Sequence, residues 1–300
     1  MTLAFRKTDF VGGVSRAGPA ANAGSAEHLS AGDFDRLAHF IHMRSGIKMP
    51  AGKNTMLEAR LRRRAMALGL DSPAEYCRYI FDGGALNDEA TDLIDAVTTN
   101  KTDFFREAEH FRFLAEKAAP ALLAECGDLK RSPLKVWSAA CSNGAEPYTL
   151  AMILSDLNPA IRSFTILATD ICTVVLKTAV RGIYPASMAS PIPDELRRRY
   201  LLRSKDGAAD SVRVVPALRR CVRFGWLNLI ETPYRTDTDM HAIFCRNVLI
   251  YFDKDTQRKV ASELCRHLQP GGYLFVGHSE TLSGLDLPLQ QVAATIFRRL

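Results

Sequence analysis

The sequence predicts an α/β protein: a mostly parallel sheet covered by helices, preceded by an all-α segment and carrying a small antiparallel β insertion. Three observations predict it. From Lys135 onward, short apolar runs of strand character alternate with stretches of helical periodicity, the pattern of βα crossovers. Before that, residues 33–97 place apolar side chains at three- and four-residue steps and contain no strand-like run. Between residues 183 and 223 the alternation breaks down, and a loop-rich stretch of that length inside a compact domain is usually functional.

The elements follow in order. Residues 1–30 are rich in Gly, Ala and Ser, so they read as a disordered leader, and they lack the continuous apolar stretch of a signal peptide. A first helix opens at Asp33, with Phe34, Leu37, Ala38 and Ile41 on its buried face. Residues 53–68 form a second. Leu57, Leu61, Ala65 and Leu68 make its apolar stripe, Lys53, Arg60, Arg63 and Arg64 make a basic face, and Gly69 ends it. Ser72-Pro73 opens a third helix carrying Tyr76, Tyr79 and Ile80, and residues 88–97 form a fourth. In the α/β part, strands are expected at 136–140, 164–170, 224–229, 241–245 and 272–277, with a final edge strand at 292–298. Helices are expected from Pro147 to about 157, after 170 through 180, and over 255–268, the last closed by Pro270-Gly271-Gly272. The insertion holds a short helix at 194–202 and strand pieces at 212–215 and 221–223. The expected organisation is a leader (1–30), a helical domain (31–98), a linker (99–134) and an α/β domain (135–300) with its insertion at 183–223.

Composition narrows the function. The chain has 300 residues, 47% of them hydrophobic, and a net charge of +6, which favours an acidic partner. No apolar stretch approaches the ~20 residues that span a bilayer, so no membrane insertion is expected. The aromatic–basic interleaving of a nucleic-acid groove is absent, so no nucleic acid is expected as partner. The seven cysteines are scattered, with no CxxC pair and no histidine at metal spacing. They read as reduced, buried thiols of a cytoplasmic protein holding no metal.

Chemistry concentrates in a few places. The run from Thr98 to Glu107 packs amide, hydroxyl, aromatic and guanidinium groups into a connecting segment. Thr98 or Asn100 as the cap of a helix over 103–108 accounts for part of it, but not for Phe104, Phe105 and Arg106 standing together. After the first strand, residues 138–147 are small and include Gly144, so the backbone can pass close to a ligand at a helix N-terminus. The pattern is not GxGxxG, which argues against a dinucleotide. Glu146 suits a ligand ammonium and suits the helix dipole equally well. Asp170, at the carboxyl end of the second strand, suits ribose hydroxyls or the cap of the next helix. An acid there without a phosphate cradle fits a nucleoside lacking a pyrophosphate, such as S-adenosylmethionine. Arg246 and Asn247 interrupt an apolar run where the chain leaves another strand, and Tyr251 follows one helical turn later. His278 reads as a packed or capping residue. No nucleophile is paired with a base, which a methyl transfer to a carboxylate does not need.

TTNKTDFFREAEHF, VWSAACSNGAEPYTLAMIL, ATDI, FCRNVLIYFDKDTQ and LFVGHSE, taken in order, resemble the successive motifs of the chemotaxis receptor glutamate methyltransferases over about residues 30–298. One departure is Ala145, where the family usually has a first acid before Glu146 and Pro147. The resemblance implies a class I methyltransferase-like (Rossmann-like) sheet and an S-adenosylmethionine-dependent O-methyltransferase. Its products would be glutamate methyl esters on receptor cytoplasmic helices and S-adenosylhomocysteine. It implies that Asn100, Thr102 and Arg106 close over the cofactor, that Glu146 meets its methionine end, and that Asp170 holds its ribose. Asn228 and Leu229, at the end of the third strand, would lie on its adenine side, and Arg246 and Asn247 would complete the pocket. Arg106 and Tyr251 would stand at the acceptor carboxylate as the catalytic pair. The basic face of Lys53, Arg60, Arg63 and Arg64 would meet the receptor, and the insertion resembles a subdomain that in some members grips a receptor C-terminal tether peptide. A monomer is expected. Two rival readings are a methyltransferase with another acceptor and a non-catalytic relative that senses the cofactor.

Overall fold

The computed structural model describes residues 29–125, 132–157, 163–204 and 210–300. Residues 1–28 of the expected leader and most of the 204–211 loop lie outside them.

The helical domain forms where the periodicity places it. Helix α1 (Ala31–Ser45) is capped by the Ser30 hydroxyl, which accepts from the Asp33 N–H at 3.0 Å, and it ends at Gly46 in the left-handed region. A 3₁₀ turn (Ala51–Lys53) leads into α2 (Asn54–Ala67), followed by α3 (Pro73–Cys77), capped by Ser72, and α4 (Leu86–Val97). Phe34, Leu37, Ile41, Leu57, Leu61, Ala65, Tyr76, Ile80, Leu93 and Ile94 close one apolar core.

The expected helix over 103–108 is absent. Residues 104–107 form turns, and α5 (Ala108–Phe113) starts at Glu107, whose φ of 56° is incompatible with continuing a helix backwards. A π-turn segment (Leu114–Ala118) carries α5 into α6 (Ala119–Glu125). Phe111, Leu114, Ala118 and Leu122 from this stretch are buried in the core of the sheet domain. Much of the expected linker is therefore packed structure.

The main sheet is built from β1 (Leu134–Ala139), β2 (Phe164–Asp170), β6 (Val222–Trp226), β7 (Met240–Cys245), β8 (Leu268–Val276), β9 (Leu289–Ala293) and β10 (Ile296–Arg299). Its order is β6-β2-β1-β7-β8-β10-β9. The pairings from β6 to β8 are parallel, and the last two strands are antiparallel. The connecting helices are α7 (Ala145–Asp156), α8 (Thr173–Arg181) and α11 (Lys254–His267). Alternation along β1 sends Val136 to one face and Trp137 to the other, so two apolar layers sandwich the sheet.

Three expectations need correction. The final segment is a hairpin, not one edge strand, because the chain turns at Thr295 (φ 56°), leaving β9 at the edge. Val222 and Arg223 belong to β6 of the main sheet, not to the insertion, and Cys221 precedes that strand. The insertion's own sheet is β3 (Ile183–Pro185), β5 (Ser211–Val214) and β4 (Leu201–Arg203), accompanied by α9 (Asp194–Tyr200) and α10 (Pro216–Arg220). Pro270-Gly271-Gly272 lies within β8 rather than ahead of it. Among the described residues no helix is long and apolar enough to cross a membrane, and all six described cysteines are free thiols.

Candidate functional site

The inner strands finish level: Ala139 stands opposite Thr169 and Cys245, and Asp170 opposite Trp226. From β1 the chain runs to β2 and β6 on one side and to β7 and β8 on the other, which opens a crevice at the carboxyl ends of the strands. The helical domain roofs it. Asn228 Nδ2 donates to the Arg44 carbonyl at 2.8 Å, Lys48 N–H to the Tyr251 carbonyl at 3.0 Å, and Thr173 Oγ1 to the Asp95 carboxylate at 2.6 Å. The cleft encloses about 1080 Å³, part of it open solvent.

Every expected cofactor or catalytic residue lines this cleft. Asn100, Thr102 and Arg106 come from the connecting segment, and Glu146, Asp170, Asn228, Leu229, Arg246, Asn247 and Tyr251 from the sheet domain. Lys53 joins them from the helical domain, its ammonium 5.6 Å above the Tyr251 ring. Asn228 and Leu229 sit just past β6, in the loop that follows Trp226.

Phe104 and Phe105 explain why Arg106 has aromatic neighbours. The Phe104 ring is buried edge-on against Tyr184 at 5.0 Å, while Phe105 N–H donates to Thr149 Oγ1 at 3.2 Å. The Phe104 ring and the Phe105 backbone fasten the segment to the small subdomain and to α7, and the Arg106 side chain is left at the cleft. There its Nη1 donates to the Lys101 carbonyl at 2.9 Å.

Asp170 is buried, and its carboxylate accepts from Ser142 N–H at 2.8 Å and Cys172 N–H at 2.9 Å. Burial raises its pKa, and these N–H groups work the other way. It therefore holds the loop after β1 and the start of α8 in place while lining the cleft. The cap position of α8 itself is Cys172.

Glu146 lies in the first turn of α7. It accepts from Ser138 Oγ at 2.7 Å and from Arg246 Nη1 at 2.9 Å. The other Arg246 nitrogen donates to Glu107 Oε2 at 2.9 Å, and Asn247 Nδ2 donates to Glu107 Oε1 at 3.0 Å. Burial pushes the Glu107 carboxyl up, but the Asn247 and Arg246 hydrogen bonds and the Arg246 charge overcome this and hold it near about 2. The network continues to Glu280, which accepts from the N–H groups of Asn247 at 2.9 Å and Ile250 at 3.3 Å and from Gly277 N–H. A side chain at Gly277 would stand 2.4 Å from Asn247 Nδ2, so only glycine fits there.

Glu107, Ser138, Ser142 and Glu280 were not among the expected site residues. Glu107 directly follows the singled-out Arg106 within the first motif, and Glu280 ends the last motif. Among the described residues, eight non-glycine positions have positive φ, and Phe105, Glu107, Ala140, Ser142 and Asn247 are five of them. All five lie in the segments that build this cleft, where backbone strain is commonly held.

The basic face of α2 divides. Arg60 donates to the carbonyls of Val97 and Thr98 (2.8 Å for the latter) and to Thr99 Oγ1 at 2.9 Å. Arg64 forks onto buried Glu89 at 2.9 and 2.8 Å and reaches Asp92 at 2.8 Å. Both bind within the chain, so two of the four residues expected to meet the receptor are held by intramolecular partners. Arg63, with neighbouring Arg62, is exposed.

The comparisons with known proteins show the family. Residues 100–298 match the CheR methyltransferase SAM binding domain, and residues 32–98 match the CheR methyltransferase all-alpha domain. A chemotaxis protein methyltransferase of Salmonella typhimurium is 40% identical over 86% of this chain and 86% of its own length. Chemotaxis protein methyltransferase 2 of Pseudomonas aeruginosa is 36% identical over 90% of this chain and 94% of its own length. With both domains matched in order over nearly all the described residues, the chain belongs to the CheR methyltransferase family and is an S-adenosylmethionine-dependent methyltransferase.

Proposed function

We propose that this methyltransferase esterifies glutamate side chains on the cytoplasmic helices of chemotaxis receptors. The observation that carries the reading is the meeting of Lys53, Arg106 and Tyr251 at one cleft from three distant segments, beside a helix with exposed Arg62 and Arg63. Cationic and hydroxyl groups at the mouth of a cleft suit a carboxylate acceptor presented by an acidic helix.

The cleft residues fit S-adenosylmethionine. Asp170 is a buried acid at the end of β2, where ribose hydroxyls are held in doubly wound sheets, and Asn228 and Leu229 follow β6 on the adenine side. Glu146 and Arg246 offer opposite charges side by side, matching an amino-acid end that carries both. Asn100, Thr102 and Asn247 close the remaining wall. When bound, the cofactor supplies an electrophilic methyl group on a sulfonium.

A glutamate carboxylate is already ionised at neutral pH, so no residue must act as its base. Arg106 orients it and Tyr251 confines it, a contribution of positioning. Receptor docking through α2, a tether peptide on the β3-β5-β4 subdomain, a monomeric enzyme and action in the cytoplasm complete the proposal.

The test is incubation with methyl-labelled S-adenosylmethionine and a purified receptor cytoplasmic fragment, followed by release of base-labile methyl from mapped glutamates. Label that is base-stable, or found on another acceptor, overturns the acceptor assignment. Cofactor binding without turnover would favour the sensing role.

A further inference from the structure

Behind the cleft, the start of α5 and the loop after β8 bring Glu107, His110 and His278 together. One ligating atom from each lies within 4.8 Å of the others. The His110 ring is 1% exposed. Thr295 Oγ1 lies 2.9 Å from His110 Nε2 and hydrogen-bonds it.

His110 Nδ1 has no hydrogen-bond partner, although it is fully buried. It faces Glu107 Oε2 at 3.6 Å, beyond hydrogen-bond length, and His278 Nε2 lies 4.0 Å from the same oxygen.

We propose that Glu107 Oε2, His110 Nδ1 and His278 Nε2 form a binding site for a divalent transition-metal ion of the zinc class. Two imidazoles and a carboxylate are the ligands such an ion takes, at about 2.0–2.2 Å. Donors sharing one tetrahedral ion stand about 3.4 Å apart, so the 3.6 Å separation is close to fitting, and exposed His278, at 4.0 Å from Glu107 Oε2, has to move inwards to join it. The Thr295 hydroxyl behind His110 Nε2 is the kind of outer partner that fixes the tautomer of a metal-binding histidine. Arg246 opposes a cation, but Glu107, Glu146 and Glu280 in the same network outnumber it. The sequence gives no hint of this site because His278 is 168 positions from His110.

The experiment is calorimetric titration of the full chain with Zn²⁺, paired with the absorption spectrum of its Co²⁺ complex. The expected result is one ion per chain with a spectrum of nitrogen and oxygen ligands. His278→Ala, on an exposed residue, should weaken binding by about 10–100-fold with an unchanged melting temperature, and Thr295→Val should do the same while Thr295→Ser restores binding. Cys221→Ser should leave the titration as it was. No binding to the wild-type chain, wild-type affinity in His278→Ala, or a thiolate charge-transfer band in the Co²⁺ complex each overturns the site.

Discussion

The guanidinium of Arg246 meets the carboxylate of Glu146 at 2.9 Å across one hundred residues of sequence. The contact locks the carboxyl end of β7 to the first turn of α7, on either side of the crevice between β1 and β7. Because the same guanidinium also holds Glu107, one side chain pairs with two carboxylates from two other segments.

Removing that guanidinium should therefore cost stability as well as cofactor affinity. Arg246→Ala strands two partly buried carboxylates, a loss of about 3–5 kcal/mol by the measure of broken buried ion pairs. Denaturant unfolding reads the first effect and calorimetry with S-adenosylhomocysteine the second. Stability within experimental error of wild type would show that the network contributes nothing to folding.

Acid should weaken the fold in two stages. His110 has its pKa lowered from 6.5 to about 4, so between those values the unfolded chain binds a proton that the folded chain refuses. Stability falls as pH drops from about 6.5 towards 4. Glu107, held near about 2 against an ordinary 4.5, contributes stability that is present above 4.5 and is lost as pH falls from there towards 2. Thermal melts of wild type and His110→Gln across pH 4–7 check the first stage, and the variant should show the flatter profile.

Asp170→Ala should weaken S-adenosylhomocysteine binding by about 1–3 kcal/mol, the cost of leaving buried hydrogen-bonding groups unpaired. It should also lower stability, since Ser142 and Cys172 lose the acceptor for their N–H groups. Calorimetry well below the melting temperature separates the two, and unchanged affinity there removes Asp170 from the cofactor site.

Much of this was legible in the sequence, and the exceptions have physical causes. The β2 strand, the helices of the N-terminal domain and all ten expected cleft residues could be placed because periodicity and motif order are local signals. The β9–β10 hairpin was not, since an alternating run does not reveal a turn made by a positive φ at Thr295. Arg60 and Arg64 read as part of a receptor-facing basic face because helical spacing shows which residues share a face but not what lies opposite. Here it is α4, with Glu89, Asp92 and the Val97 carbonyl. Glu280 binds three backbone N–H groups, and an acceptor role of that kind leaves no pattern in side-chain types.

Arg106→Ala should lower turnover about a hundredfold, the scale of lost orientation, and barely move the melting temperature. Its side chain makes one hydrogen bond, to the Lys101 carbonyl, and buried Phe104 with half-buried Phe105 beside it hold the segment without it. Rates on a receptor fragment at saturating cofactor are the measurement, and a normal rate would remove Arg106 from the catalytic pair.

Charge reversal on α2 should separate docking from folding, provided the right arginines are chosen. Arg62 and Arg63 are exposed, so Arg62→Glu with Arg63→Glu should leave stability and cofactor affinity alone and raise the Michaelis constant for receptor. Arg64→Glu should behave differently. It sets a third acid against Glu89 and Asp92 and should destabilise the helical domain by on the order of 1–3 kcal/mol, because Glu89 is buried and loses its charged partner. Arg60→Glu would likewise free the carbonyls of Val97 and Thr98, so a failure of either variant to methylate receptor would not report on docking. The wild-type rate at low receptor should also fall with added salt as the Debye length shrinks from about 10 Å at 0.1 M towards 3 Å at 1 M. If the Arg62/Arg63 double variant keeps wild-type kinetics at low salt, the acidic receptor helix does not dock on this face.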